Sequence, residues 1–230
     1  MDGEALRGKV AIITGGSTEV AAAVALALAR EGVQICLCGK QMDLLNLAAD
    51  KIKGASGNCL IHLSELETLE NAEAVVEHAR SSFGRLDILI MASPFWSGGQ
   101  IHNHSVRTWD LVMNANLREP FLMARAVLPF LREQGRGEIM AIGSDSAMGI
   151  YEQDGAYGVA MHALTALMKL IDIENKEYGI RTHILSPGLA LTTNRDSQDK
   201  PALMPSHIAE WVLWLLTRPA HLRSNGSILI

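Results

Sequence analysis

Lys9-Val10-Ala11-Ile12-Ile13-Thr14-Gly15-Gly16-Ser17-Thr18-Glu19-Val20-Ala21 decides the fold. Lys9–Thr14 is a short apolar run that reads as a buried strand. Gly15-Gly16-Ser17 breaks it, and a helical pattern begins at Glu19 and runs to Glu31. A strand that turns on glycine straight into a helix is the opening of a βαβ unit.

The same alternation continues along the chain. Val33–Cys38, Asn58–His62, Leu86–Met91, Glu138–Gly143, Arg181–Ser186 and Ser227–Ile230 read as further buried strands. Helical patterns lie between them at Asp43–Lys53, Leu69–Phe83, Val106–Glu133, Gly155–Tyr178 and Ser206–Thr217. Short loops join these elements, and no repeat or linker interrupts them. Residues 1–230 are therefore expected to form one α/β domain, a doubly wound Rossmann-type unit. Its seven-stranded, mainly parallel sheet would carry helices on both faces.

Composition narrows the classes of function. The 230 residues are 48% apolar and 20% charged, enough for a large core and unlike a disordered chain. Twenty basic and 25 acidic side chains leave a net charge of −5 with no block of one sign. That balance argues against nucleic acid or an anionic membrane as partner. No apolar run approaches the ~18 residues of a membrane span, and the acidic Met1-Asp2-Gly3-Glu4 does not read as a signal peptide. Cys36, Cys38 and Cys59 are too few and too scattered for a disulfide framework or a metal cage. A reducing cytoplasmic setting and no metal are the resulting expectations.

In an open parallel sheet, ligands sit beyond the carboxyl ends of the strands. That rule gathers Gly15–Glu19, Gly39–Lys40, Ser93–Gly99, Ser144–Ser146 and Pro187–Thr192 around one crevice. The turn Thr14-Gly15-Gly16-Ser17-Thr18-Glu19-Val20-Ala21 resembles the T-G-x-x-x-G-x-G turn of the short-chain dehydrogenase/reductase family. Pro187-Gly188-Leu189-Ala190-Leu191-Thr192 resembles the same family's P-G-x-x-x-T. Ser144 stands thirteen residues before Tyr157, as in the family's Ser…Y-x-x-x-K arrangement, and Asn116 matches its helix-borne asparagine.

The resemblance covers essentially the whole chain and implies a nicotinamide dinucleotide cofactor. Thr14, Gly15, Ser17 and Thr18 would take the pyrophosphate, while Pro187, Gly188 and Thr192 would take the nicotinamide end. Lys40, directly after the second strand, suits a 2′-phosphate, so NADP is expected ahead of NAD. His62 or Ser64 offers itself near the adenine. Ser144 would orient a substrate carbonyl, Tyr157 would exchange a proton with its oxygen, and Asn116 would support a relay water.

Two residues depart from the family pattern. Glu19 replaces the middle glycine of the turn, and an acid there competes with phosphate for the helix N-terminus. Met161 stands four residues after Tyr157, in the family's lysine position and on the same helix face. A thioether carries no charge, so Tyr157 is expected to retain a pKa near or above the phenol value of ~10.

The expected function is NADP(H)-dependent hydride transfer to or from a small carbonyl or alcohol, slowed by the missing lysine. The alternative is a catalytically inactive relative acting as a ligand-binding or scaffold subunit. Helices 106–133 and 155–178 are apolar on more than one face, which predicts a homodimer or homotetramer through them.

Overall fold

Successive residues of the central strands bury against opposite layers, which is how the uninterrupted apolar runs are accommodated. Ala11, Ile13, Ile35, Leu37, Ile88 and Ile90 join one core, and Val10, Ile12, Cys36, Cys38, Leu89 and Met91 join the other. The computed structural model describes residues 5–188, 203–219 and 227–230.

Seven strands form one sheet: β1 (Val10–Thr14), β2 (Gln34–Gly39), β3 (Cys59–Leu63), β4 (Ile88–Met91), β5 (Gly137–Ile142), β6 (Ile180–Ser186) and β7 (Ser227–Leu229). Their order is β3-β2-β1-β4-β5-β6-β7, and every pairing is parallel. The chain reverses direction across the sheet between β1 and β4, which puts the switch point at their carboxyl ends. Helices α1 (Glu19–Arg30), α2 (Met42–Gly54) and α7 (Pro205–Leu216) cover one face. Helices α3 (Leu69–Phe83), α5 (Glu119–Gln134) and α6 (Gly155–Asn175) cover the other.

The segment read as one helix from Val106 to Glu133 is instead α4 (Val106–Met113), a π turn over Asn114–Arg118, and α5. Pro120 explains the interruption. It has no N–H to return to residue 116, and its ring collides with that carbonyl in a regular helix. The predicted end of the long helix at Tyr178 also tightens, into a 3-10 turn at Lys176–Tyr178 closed by Gly179 at φ 69°.

Gly155–Tyr178 is long and apolar enough to cross a membrane by length and composition. Here its apolar side lies against the sheet: Ala156, Ala160, Leu164, Met168 and Ile171 are all buried in the core beside β6. The three cysteines are buried and unpaired, and burial pushes the Cys36 and Cys38 thiols up to about 12 and Cys59 to about 11. They are packing residues.

Candidate active site

The turn after β1 is locked by its glycine. Gly15 adopts φ +72°, and a Cβ built on it would stand 2.5 Å from the Ala92 carbonyl oxygen. Only a residue without a side chain lets β1 and the loop after β4 approach this closely. Thr18 then starts α1: its hydroxyl accepts the Ala21 N–H at 3.1 Å and donates to Ala92 O at 3.1 Å. Ser17 ties the turn sideways to the end of β2, its hydroxyl accepting the Gln41 N–H at 3.1 Å. Thr14 is buried in the strand beneath them.

These contacts shape a crevice of about 410 Å³ at the switch point. Gly15, Ser17, Thr18 and Lys40 line it, joined by Gly39, Ser93, Pro94 and Phe95. Four of the expected cofactor residues are thus brought together with three of the expected loops. Glu19 takes no part in this lining and is exposed to solvent. The acid that replaces the middle glycine therefore swings away from the turn.

The adenosine end differs from the reading that offered His62 or Ser64. His62 Nδ1 lies 3.1 Å from His78 Nδ1 on α3, and Ser64 donates to the Glu65 carbonyl at 3.4 Å. Leu66 and Glu67, just beyond them, line the crevice instead. Burial and then the His78 charge lower the His62 pKa.

A further side chain in the crevice went unread in the sequence. Glu119, on the first turn of α5, lines it and binds Lys40, with Nζ to Oε1 at 2.7 Å. The Lys40 side chain is 46% exposed and that of Glu119 only 8%. Burial raises the Glu119 pKa against the lowering pull of Lys40. Burial also works to lower the Lys40 pKa, but its hydrogen bond and charge contact with Glu119, helped by Glu65 and Glu67, leave it raised.

The expected catalytic residues lie in the turn after β5, on α6 and in the π turn. Ser144 follows β5, and its hydroxyl donates to Asp145 Oδ1 at 2.9 Å while accepting the Ser146 N–H at 3.2 Å. The turn it opens packs against α6, which carries Tyr157. Asp145 N–H bonds the Pro187 carbonyl at 3.2 Å, so the loops after β5 and β6 are adjacent. Gly188 N–H bonds the Ile230 carbonyl at 2.9 Å. Thr192 lies outside the described residues.

Asn116 is buried in the π turn, and its amide braces a loop. Nδ2 donates to Phe95 O at 2.7 Å and to Val112 O at 2.9 Å, and Oδ1 accepts the Phe95 N–H at 2.9 Å. The side chain thereby fixes Phe95 on the crevice wall. Met161 is 1% exposed and borders a small void of about 10 Å³ with Met91, Ser93, Pro94 and Asn116. On the helix face it shares with Tyr157, its end is closed by the loop that Asn116 pins. His104 accepts the Ala156 N–H of α6 through Nε2 at 3.4 Å.

Comparison with known proteins agrees with this geometry. The family model for short chain dehydrogenases matches residues 9–202. An uncharacterized oxidoreductase of Staphylococcus haemolyticus is 29% identical over 223 residues, covering 96% of both chains. One of Staphylococcus aureus is 27% identical over the same length. Among solved structures, a metagenomic short-chain oxidoreductase in complex with NADP superposes with a TM-score of 0.86 at 26% identity, covering 98% of this chain and 97% of that one. An alcohol dehydrogenase of the archaeon Thermococcus sibiricus, complexed with 5-hydroxy-NADP, gives 0.87 at 26% identity, covering 96% and 95%. With the sheet order, the glycine-locked turn and the crevice at the switch point, this match shows that the chain belongs to the short-chain dehydrogenase family.

Proposed function

We propose that the protein is an oxidoreductase that moves a hydride between a nicotinamide dinucleotide and a small carbonyl or alcohol. The observation that carries this reading is the crevice itself, in which Gly15, Ser17, Thr18 and Lys40 converge at the switch point. Family relatives solved with NADP and 5-hydroxy-NADP support the choice of ligand. Lys40 brings an ammonium that attracts a 2′-phosphate, as NADP(H) requires, and its ion pair with Glu119 weakens that pull.

A bound dinucleotide would supply the hydride in carbonyl reduction and accept it in alcohol oxidation. The chain's own residues hold and orient it, exclude water and handle the proton. Gly15 leaves the turn bare so that a phosphate can approach the backbone. Phe95 and Pro94 supply an apolar wall. Ser144, just after β5, would turn its hydroxyl from Asp145 to a substrate oxygen, and Tyr157 would give or take the proton there.

Titration of dinucleotide fluorescence tests the reading. Saturable binding with turnover on a panel of carbonyls is expected, and absence of binding removes the proposal. Ser144→Ala is expected to lower kcat by about 30-fold with little change in dinucleotide affinity, because one hydrogen bond to the transition state is lost. An unchanged kcat would take Ser144 out of the site.

The second reading, an inactive ligand-binding or scaffold relative, is favoured by one observation: Met161 occupies the lysine position and is enclosed. Binding without turnover across the panel would select it. Either reading leaves Leu111, Phe121, Val159, Leu170 and Ile173 exposed on α4, α5 and α6. We expect these faces to pair copies of the chain, so light scattering should report a dimer or tetramer. A monomer at micromolar concentration would refute this assembly.

A further inference from the structure

Lys40 is the only cation among the described residues that line the crevice, and it is already engaged. Its ammonium meets a buried carboxylate of Glu119, with Glu65 and Glu67 close enough to act on it as well. The surroundings of that ammonium are net negative before any ligand arrives. A 2′-hydroxyl is neutral and enters this surrounding without a charge penalty. A 2′-phosphate brings about −1.5 to −2 charges, as phosphate monoesters do near neutral pH.

The phosphate then faces two unfavourable arrangements. If Lys40 stays on Glu119, the phosphate stands beside carboxylates with its cation only half available. If Lys40 swings to the phosphate, Glu119 keeps a buried charge without its partner, which is costly. The exposed lysine stem makes the swing possible, and the buried carboxylate makes it unfavourable.

We propose that Glu119 is a positioning residue that sets the dinucleotide's phosphate preference, by withholding the Lys40 ammonium from the 2′-phosphate. The inference rests on the proposed dinucleotide site and adds to it a restraint built from α5. Glu119 acts through Lys40: a buried carboxyl that loses its cation takes up a proton more readily and repels a phosphate little, so its effect must nearly vanish when Lys40 is absent.

The test is a thermodynamic cycle on the full chain, with Kd measured for NADPH and NADH by fluorescence titration. Glu119→Gln keeps the side chain's shape and removes its charge. It is expected to shift the affinity ratio toward NADPH by about tenfold, the scale of one partly screened charge contact. In a Lys40→Met background the same substitution is expected to shift the ratio by less than twofold. A shift below twofold in Glu119→Gln alone, or an equal shift with and without Lys40, overturns the proposal. Glu119→Ala provides a second variant with the same expected direction should the glutamine protein not fold. Loss of all binding to both nucleotides in the wild-type chain sinks the dinucleotide reading and this inference together. Binding of both with an unmoved ratio sinks this inference alone.

Discussion

Met161→Lys is expected to raise alcohol oxidation at pH 7 by about 100-fold and to shift the pH profile about two units toward acid. Residue 161 lies one helical turn beyond Tyr157 on α6, so a lysine there shares a face with the phenol. An ammonium within ~4–6 Å lowers the pKa of a group that becomes an anion by about one to three units. Two units multiply the ionised fraction about 100-fold at any pH well below the pKa. The sign follows from the reaction: oxidation needs the phenolate as base, so its rate rises with pH and the rise moves to lower pH when the pKa falls. Carbonyl reduction needs the protonated phenol, and it gains from the same change because a stronger acid donates more readily. The new ammonium also displaces a thioether that is 1% exposed, between Ser93, Pro94 and Asn116. Burying that charge is expected to lower stability by about 1 to 3 kcal/mol, read as a lower denaturation midpoint. An unmoved pH profile in a variant that still binds dinucleotide would show that the missing ammonium does not limit turnover.

The sheet was legible because parallel strands buried on both faces leave an unambiguous mark, continuous apolar runs between helical patterns. Each observed strand begins and ends close to where its run does; Val10–Thr14, for example, lies within Lys9–Thr14. Helix register was also legible: the interval of four places Tyr157 and Met161 on one face. Periodicity does not say what closes that face. The wall over Met161 comes from the loop after β4, far away in sequence, and its position depends on the Asn116 amide.

The same limit explains Glu119. Lys40 could be singled out because a cation directly after β2 has a standard place in such folds. Its partner is 79 positions later, on another helix, and no local pattern couples the two. The π turn belongs to a middle category. Pro120 was visible in the middle of the run read as Val106–Glu133, yet a proline there fits the first turn of a new helix as well as an interruption of one. What made it an interruption is α4 continuing unbroken into it.

Asn116→Ala supplies the second large effect and separates bracing from relay. The substitution removes three hydrogen bonds from a buried side chain and leaves Phe95 N–H and O without these partners. Each net bond is worth about 0.5 to 1.5 kcal/mol, and each buried group left unsatisfied costs more. A stability loss of about 3 kcal/mol is expected, measured as a lower urea midpoint at unchanged slope. Phe95 walls the dinucleotide crevice, so its release is expected to weaken dinucleotide binding by at least tenfold. Asn116→Asp should recover little, because a carboxylate accepts the Phe95 N–H but cannot donate to the Phe95 and Val112 carbonyls. A side chain whose main task is to carry a relay water behaves otherwise: kcat falls while affinity and denaturation midpoint hold. That second pattern would overturn the assignment of Asn116 as the brace of the crevice wall.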